Sequence, residues 1–266
     1  MRVGEAIIAA SSKCGSKFVA RELMKFHLNT DTSGMLSMIN ETLERENAYK
    51  NSVKFYCGGI PLEYITGTAS FMGRDFKVDK NVLIPRFETE ILVKKTLDIA
   101  SRFENPRICE IGVGSGIISI TLKNELKNCS ITATDISIKA LEIAKFNADK
   151  FNADIEFSHT SLLDKVVGNF DIIISNPPYI KNSYELDKWV KNEPKEALFG
   201  GENGDEILKQ IINLAKDRTK ILACEIGYDQ KNSLEKALKK VGFNYSFYKD
   251  LAGFDRGFVA ERIFLE

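Results

Sequence analysis

From Met1 to about Lys54, apolar residues recur at irregular three- and four-residue spacing, as at Leu36, Ile39 and Leu43, and no strand-like alternation interrupts them. That spacing predicts helices over the whole stretch. The segment Cys57-Gly58-Gly59-Ile60-Pro61 breaks the pattern. From Glu63-Tyr64-Ile65-Thr66-Gly67 through Phe76-Lys77-Val78, the chain then predicts a short β-hairpin. A domain boundary is expected near residue 84, dividing the chain into a helical part at 1–60, a hairpin linker at 61–84 and a larger domain at 85–266. Val93, Leu97 and Ala100 share one face of a helix predicted from about Glu88 to Phe103, and Pro106 closes the connection that follows.

Beyond Arg107 the period switches back and forth between two and 3.6 residues. Strands are predicted at Arg107–Ile111, Ser130–Thr134, Ile155–Ser158, Phe170–Ser175 and Lys220–Glu225. Helices are expected between them: Gly116 to about Leu126, Ser137 to about Lys150 with Leu141, Ala144 and Ala148 inward, and Asp205 to about Arg218. A last helix runs from Asp229 to Val241 with Leu234, Leu238 and Val241 in register. The segments Asn244–Lys249 and Phe258–Phe264 have no helix between them, so they can pair antiparallel. The order indicates an α/β fold: a doubly wound, mostly parallel sheet of seven strands with an antiparallel edge, preceded by a small helical domain and a hairpin linker.

Composition narrows the function without naming it. Lys plus Arg and Asp plus Glu both number 37 in the 266 residues, so no overall charge draws the chain to nucleic acid. The five cysteines (Cys14, Cys57, Cys109, Cys129, Cys224) contain no C-x-x-C pair, which argues against a zinc site or a disulfide framework. No apolar run approaches the length of a membrane span and the N-terminus has no continuous apolar core, so a cytoplasmic protein is expected.

Two segments carry chemistry. The apolar run Asp171-Ile172-Ile173-Ile174-Ser175 ends in Asn176-Pro177-Pro178-Tyr179. Two prolines fix the backbone beside one amide side chain, with an aromatic ring beyond. The Asn176 side-chain oxygen can accept one hydrogen bond and the Pro177 carbonyl another, so an –NH2 group with two hydrogens could be held by both. The second segment is Glu110-Ile111-Gly112-Val113-Gly114-Ser115-Gly116, where the first strand of the sheet turns into its first helix. Alternating glycines permit a tight turn and close approach, and free N–H groups at the helix start are expected to face a ligand. Asp135 closes the next strand, placed to accept from both hydroxyls of a ribose. A dinucleotide fingerprint would be G-x-G-x-x-G, but here the third glycine comes one place early and Ile117 stands where it would fall. That spacing fits S-adenosylmethionine better than NAD, and Glu110 could interact with its methionine end.

The chain resembles the protein-(glutamine-N5) methyltransferases that modify class I peptide release factors. The resemblance covers nearly the whole length: Gly59-Ile60-Pro61-Leu62-Glu63-Tyr64-Ile65-Thr66-Gly67, Val82-Leu83-Ile84-Pro85-Arg86-Phe87-Glu88-Thr89-Glu90, the glycine loop and Asp135-Ile136-Ser137. It continues through Ser175-Asn176-Pro177-Pro178-Tyr179-Ile180, Glu193-Pro194, Glu225-Ile226-Gly227 with Gln230, and Lys249-Asp250-Leu251-Ala252-Gly253-Phe254-Asp255-Arg256. It implies a class I, Rossmann-like methyltransferase fold, with Gly112, Val113, Gly114, Ser115, Gly116 and Asp135 on the cofactor and Leu162 near the adenine. Asn176, Pro177, Pro178 and Tyr179 would hold the substrate glutamine, which in this family lies in a Gly-Gly-Gln loop. Three departures stand out: Phe87 replaces a usual proline, Ser161-Leu162 replaces an acidic residue followed by an aromatic, and the N-terminal helical part is somewhat short for the family.

Asn-Pro-Pro-Tyr also occurs in DNA adenine-N6 methyltransferases, so methylation of an adenine in DNA or RNA is the alternative activity; the neutral charge opposes it. A cofactor-binding adaptor without turnover is a third reading, opposed by the intact Asn176 to Tyr179. No general base is evident: His27 and His159 read as packing or surface residues, and no metal ligand set is expected. Tyr179 is expected against the substrate. Arg86 and Glu88 are expected to be an ion pair joining the domains or a lid over the cofactor, and the long loop from Ile180 to Gly204 to border the substrate cleft. The lysine-rich run Lys231 to Lys240 reads as a solvated helix face. A monomer acting on a protein substrate is the expected form.

Overall fold

The computed structural model describes residues 1–262. Five helices come first: α1 (Val3–Cys14), α2 (Lys17–Leu28), α3 (Thr32–Ser37), α4 (Glu46–Cys57) and α5 (Leu62–Thr66). Side chains that compete for backbone N–H groups set two of the starts: Ser16 Oγ accepts from Val19 N at 3.2 Å and Asp31 Oδ1 from Gly34 N at 2.8 Å. Leu23, Met24 and Tyr49 are buried at the centre of this group, and the Tyr49 hydroxyl donates to the Ala20 carbonyl at 3.0 Å. His27 is a packing residue here, its Nε2 2.9 Å from Ser52 Oγ.

The segment 63–67, expected as the first hairpin strand, is instead the end of α5 and its left-handed Gly67 cap. The strands of the hairpin are β1 (Thr68–Phe71) and β2 (Arg74–Lys77), joined through Met72 and Gly73, both at positive φ. Pro61 opens α5 as its N-cap, and five residues are too few for a periodicity to show.

By their contacts the residues form two compact units: Met1–Thr68 with Leu186–Asn192, and Ala69–Glu185 with Glu193–Glu266. The short return to the first unit is fixed within it by Asn192 Nδ2 donating to the Gly59 carbonyl at 2.9 Å and by Trp189 against Tyr56, ring centres 5.6 Å apart.

The larger unit continues with α6 (Phe87–Ala100), β3 (Arg107–Ile111), α7 (Ile117–Glu125), β4 (Ser130–Asp135), α8 (Ile138–Lys150), β5 (Glu156–His159) and β6 (Phe170–Ser175). Next come β7 (Ile180–Lys181), β8 (Phe199–Gly201), α9 (Glu206–Ala215), β9 (Thr219–Glu225), α10 (Lys231–Lys240), β10 (Phe243–Lys249) and β11 (Asp255–Arg262). The seven-stranded sheet has the order β10-β11-β9-β6-β3-β4-β5. Its first five strands in sequence run parallel, and β11 and β10 run antiparallel at one edge. Of the last predicted strand, residues 263 and 264 lie outside the described residues. The stretch after β6 is not wholly irregular: β7 and β8 pair in parallel within it.

Both faces of the sheet are covered, which explains the unbroken apolar run of β6. Ile108, Ile172, Ile174 and Ala223 pack under α6 and α7, while Cys109, Ile173 and Leu222 pack under α9 and α10. On α10 only Leu234 and Leu238 are buried, so its lysines form the solvated face. Order reverses on the two sides of β3, the place where doubly wound sheets open a crevice at their carboxyl ends. Register aligns that edge: Ile111 lies opposite Thr134 and Ser175, and Ser175 opposite Cys224, so Asp135, Gly112, Asn176 and Glu225 follow in one row.

Candidate active site

A cavity of about 310 Å³ opens along this row. Its walls include Glu110, Gly112 to Ser115, Asp135, Ile136, Leu162, Asn176, Pro177 and Pro178, together with Arg86, Thr89 and Pro194. Nearly all the expected cofactor residues therefore meet in one place. Gly116 is the exception: it shapes the loop from behind, where an added Cβ would stand 2.8 Å from Ile120 Cδ1.

The glycine loop takes its shape from β4. Gly112 N and Val113 N both donate to the Thr134 carbonyl at 2.9 Å, Gly114 N donates to Asp135 Oδ2 at 2.9 Å, and Gly116 N to the Val113 carbonyl at 2.8 Å. These four are committed inside the protein, so any N–H groups that face a ligand belong to the helix start itself, at Ile117 and Ile118, rather than to the glycines. Gly112 and Gly114 sit at φ +78° and +53°, and an added Cβ on either meets no atom within 4 Å, so both leave open space beside the cavity. Asn147, fully buried on α8, braces the loop: Nδ2 donates to the carbonyls of Ser115 (2.8 Å) and Lys77 (2.9 Å), and Oδ1 accepts from Lys77 N (2.8 Å). Nothing in the local sequence marks this residue.

Asp135 accepts from Gly114 N and, through Oδ1, from Ser137 N at 2.8 Å, leaving lone pairs on both oxygens for ribose hydroxyls. Burial raises its pKa, against the pull of those hydrogen bonds. His159, opposite Asp135 on β5, contacts the Ile136 carbonyl through Nε2 at 2.9 Å. Val113, Ile136 and Leu162 give the cavity an apolar wall suited to a purine ring. Leu162, on the cavity wall, holds φ +44°, a conformation rare for a non-glycine residue. Glu110 Oε2 is bound by Ser119 through both N–H (2.9 Å) and hydroxyl, and burial pushes the carboxyl up to about 8. It anchors the start of α7 and holds its proton more tightly than an ordinary carboxyl.

Asn176 points its Nδ2 at Thr89 Oγ1, 3.0 Å away, and Thr89 Oγ1 donates to Glu225 Oε2 at 2.7 Å. Tyr179 is placed differently from the other three residues of its motif. It packs against the core under α9 and α10, its hydroxyl donates to Glu225 Oε1 at 3.0 Å, and it is absent from the cavity wall. Glu225 is completely buried, and burial pushes its carboxyl up to about 7 against the hydrogen bonds of Thr89 and Tyr179. Arg86 pairs with Glu193 rather than Glu88; Glu193, 4% exposed, also accepts from Ile84 N at 3.0 Å. That carboxylate ties the segment before α6 to the loop whose Pro194, Glu196 and Ala197 line the cavity.

Among the described residues, no group of three or more His, Cys, Asp or Glu side chains could hold a metal, and no helix is long and apolar enough to cross a membrane. A parallel sheet with an antiparallel edge, a glycine loop spent on internal bonds and a carboxylate on the next strand define an S-adenosylmethionine-dependent methyltransferase of the Rossmann-like class. Comparison with known proteins agrees. Residues 87–196 match the model of the methyltransferase small domain. The release factor glutamine methyltransferase of Koribacter versatilis is 35% identical over 96% of this chain and 94% of its own. That of Fusobacterium nucleatum is 42% identical over 93% of this chain and 72% of its own. In fold, the chain is similar to the ribosomal protein L11 methylase of Lactobacillus delbrueckii, with a TM-score of 0.52 over 70% of this chain and 83% of that one at 24% identity. The chain belongs to the release factor glutamine methyltransferase family.

Proposed function

We propose that this enzyme transfers a methyl group from S-adenosylmethionine to the side-chain N5 of the glutamine in the Gly-Gly-Gln loop of class I peptide release factors, supporting translation termination. The observation that carries the reading is the placement of Asn176 and Pro177 on the wall of the cofactor cavity, with the Asn176 amide nitrogen already engaged by Thr89. Its oxygen is left for a substrate N–H, and the Pro177 carbonyl takes the other. A glutamine nitrogen is a weak nucleophile because its lone pair is delocalised into the carbonyl. Holding both hydrogens aims that nitrogen, and bending it out of plane localises the lone pair. The cofactor supplies a methyl group made electrophilic by a sulfonium. Pro178 narrows the site beside Asn176, and Tyr179 acts from behind by holding Glu225. No base is needed before transfer, because the nitrogen becomes strongly acidic once methylated. Residues 1–60 are assigned to recognition of the protein substrate, 61–84 to the linker and 85–266 to catalysis, in a monomer working in the cytoplasm.

The test is mass spectrometry of a purified release factor after incubation with this protein and S-adenosylmethionine, with a Gln→Ala release factor as control. One added methyl on the Gly-Gly-Gln glutamine is expected. No transfer by a protein that still binds the cofactor would overturn the substrate assignment and move it toward nucleic acid or another protein. Asn176→Ala is expected to lower turnover by about a hundredfold or more while cofactor affinity persists.

A further inference from the structure

We propose that Thr89 and Glu225 are positioning residues: they fix the Asn176 amide with its oxygen toward the substrate nitrogen, through the chain Asn176 Nδ2, Thr89 Oγ1, Glu225 Oε2. The inference rests on the reading above that Asn176 grips a substrate –NH2 group. An asparagine amide is nearly symmetric in shape but opposite in polarity at its two ends, so a half-turn would present –NH2 to –NH2, donor against donor. Shape alone does not choose between the two orientations.

The hydrogen-bond chain does choose. An ionised carboxylate only accepts, and Glu225 Oε2 lies 2.7 Å from Thr89 Oγ1, so the single threonine proton is drawn to Glu225. Thr89 Oγ1 is then an acceptor toward Asn176, 3.0 Å away, and the group that meets it must be Nδ2. Oδ1 is thereby left for the substrate. Thr89 is 1% exposed and Glu225 0%, so the Thr89–Glu225 link is shielded from bulk solvent. The other carboxylate oxygen is held by the Tyr179 hydroxyl at 3.0 Å, which gives the aromatic residue of the motif its part in the site.

A proton on Glu225 removes the directionality. The carboxyl can then donate to Thr89, Thr89 can donate to Asn176 Oδ1, and the amide can turn its nitrogen to the substrate. The groups facing Glu225 come from several elements: Thr89 and Glu88 of α6, Tyr179 after β6, Tyr248 of β10 and Arg256 of β11. Arg256 favours the charged form and Glu88 opposes it, while Arg256 is itself held by Asp250, with Nε and Nη2 at 3.1 and 2.9 Å from Oδ2. Burial places the titration near pH 7, so turnover should fall as pH drops through neutrality.

The experiment measures kcat against pH for methylation of a release factor by the wild type and by Thr89→Val, Thr89→Ser, Glu225→Gln and Asn176→Ala, with cofactor affinity measured for each. Thr89→Val, which keeps the shape and loses the hydroxyl, is expected to lower kcat about tenfold or more at unchanged cofactor affinity. Thr89→Ser is expected to recover most of that loss. Glu225→Gln cannot ionise, and its profile is expected to lack the acid limb near pH 7 that the wild type shows. A Thr89→Val enzyme with wild-type kcat, or a Glu225→Gln enzyme that keeps the acid limb, would overturn the inference. If Asn176→Ala is inactive in that case, the site reading stands alone; an active Asn176→Ala instead overturns the site reading itself.

Discussion

Gly114 and Gly116 lie two residues apart in one loop, both at positive φ, and do different work. A side chain at Gly114 meets open space beside the cavity, whereas at Gly116 it meets Ile120 Cδ1 at 2.8 Å and the Ala144 backbone at 3.5 Å. Gly116→Ala is expected to cost about 2–3 kcal/mol of stability, from overpacking and the left-handed conformation together. Gly114→Ala should cost about 1 kcal/mol and weaken cofactor binding instead. Urea denaturation and calorimetric titration of S-adenosylmethionine separate the two. At this scale the sequence was legible where chemistry is local. The glycine spacing, Asp135 and Asn176-Pro177-Pro178 met in one cavity because each ends a strand or opens a helix. Thr89, Glu193 and Glu225 went unassigned because their partners lie 87, 107, 109 and 136 positions away, a separation that leaves no periodic trace.

Among elements, the hairpin β1–β2 was foreseen in kind and misplaced at its start. A helix of five residues between Pro61 and Gly67 carries no period to read, and β-rich composition at Tyr64-Ile65-Thr66 pointed the other way. Strands and helices of the sheet were read within a few residues because each buries one stripe or two full faces, and burial is what period and run length report. The join between β2, α8 and the glycine loop depends on one side chain. Asn147→Ala should remove three hydrogen bonds, leaving the buried Ser115 carbonyl and the part-buried Lys77 backbone groups without these partners, at a cost of about 2–3 kcal/mol. A reduced urea midpoint with an unchanged slope, together with weaker cofactor binding, is the expected signature.

Across the whole molecule, the two carboxyls of Glu110 and Glu225 lie on the same face of the sheet, under α6 and α7, each completely or almost completely buried. Burial raises both above the ordinary 4.5, to about 8 and about 7. The folded protein therefore binds these protons more tightly than the unfolded chain does. Their contribution to stability is fully present below about pH 4.5 and is lost as pH rises through about 7 and then about 8. Thermal unfolding is expected to show a melting temperature several degrees lower at pH 9 than at pH 6, and Glu110→Gln should flatten the upper part of that decline. Doubly wound topology was legible from the alternation of elements, and the return of Leu186–Asn192 to the first unit was not, since seven residues inside a loop carry no pattern that assigns them.

The internal bonding of the glycine loop bears on selectivity inside a cell. Gly112, Val113, Gly114 and Gly116 have turned their amides inward, and Asp135 adds a negative charge at the same edge. A triphosphate nucleotide offers the same adenosine as the cofactor but brings several anionic oxygens to an edge where four loop amides are already spent and a carboxylate stands nearby. Discrimination against it is then expected to come from hydrogen bonds withheld as well as from hydrogen bonds made, and a titration of S-adenosylmethionine in excess ATP should show little loss of apparent affinity.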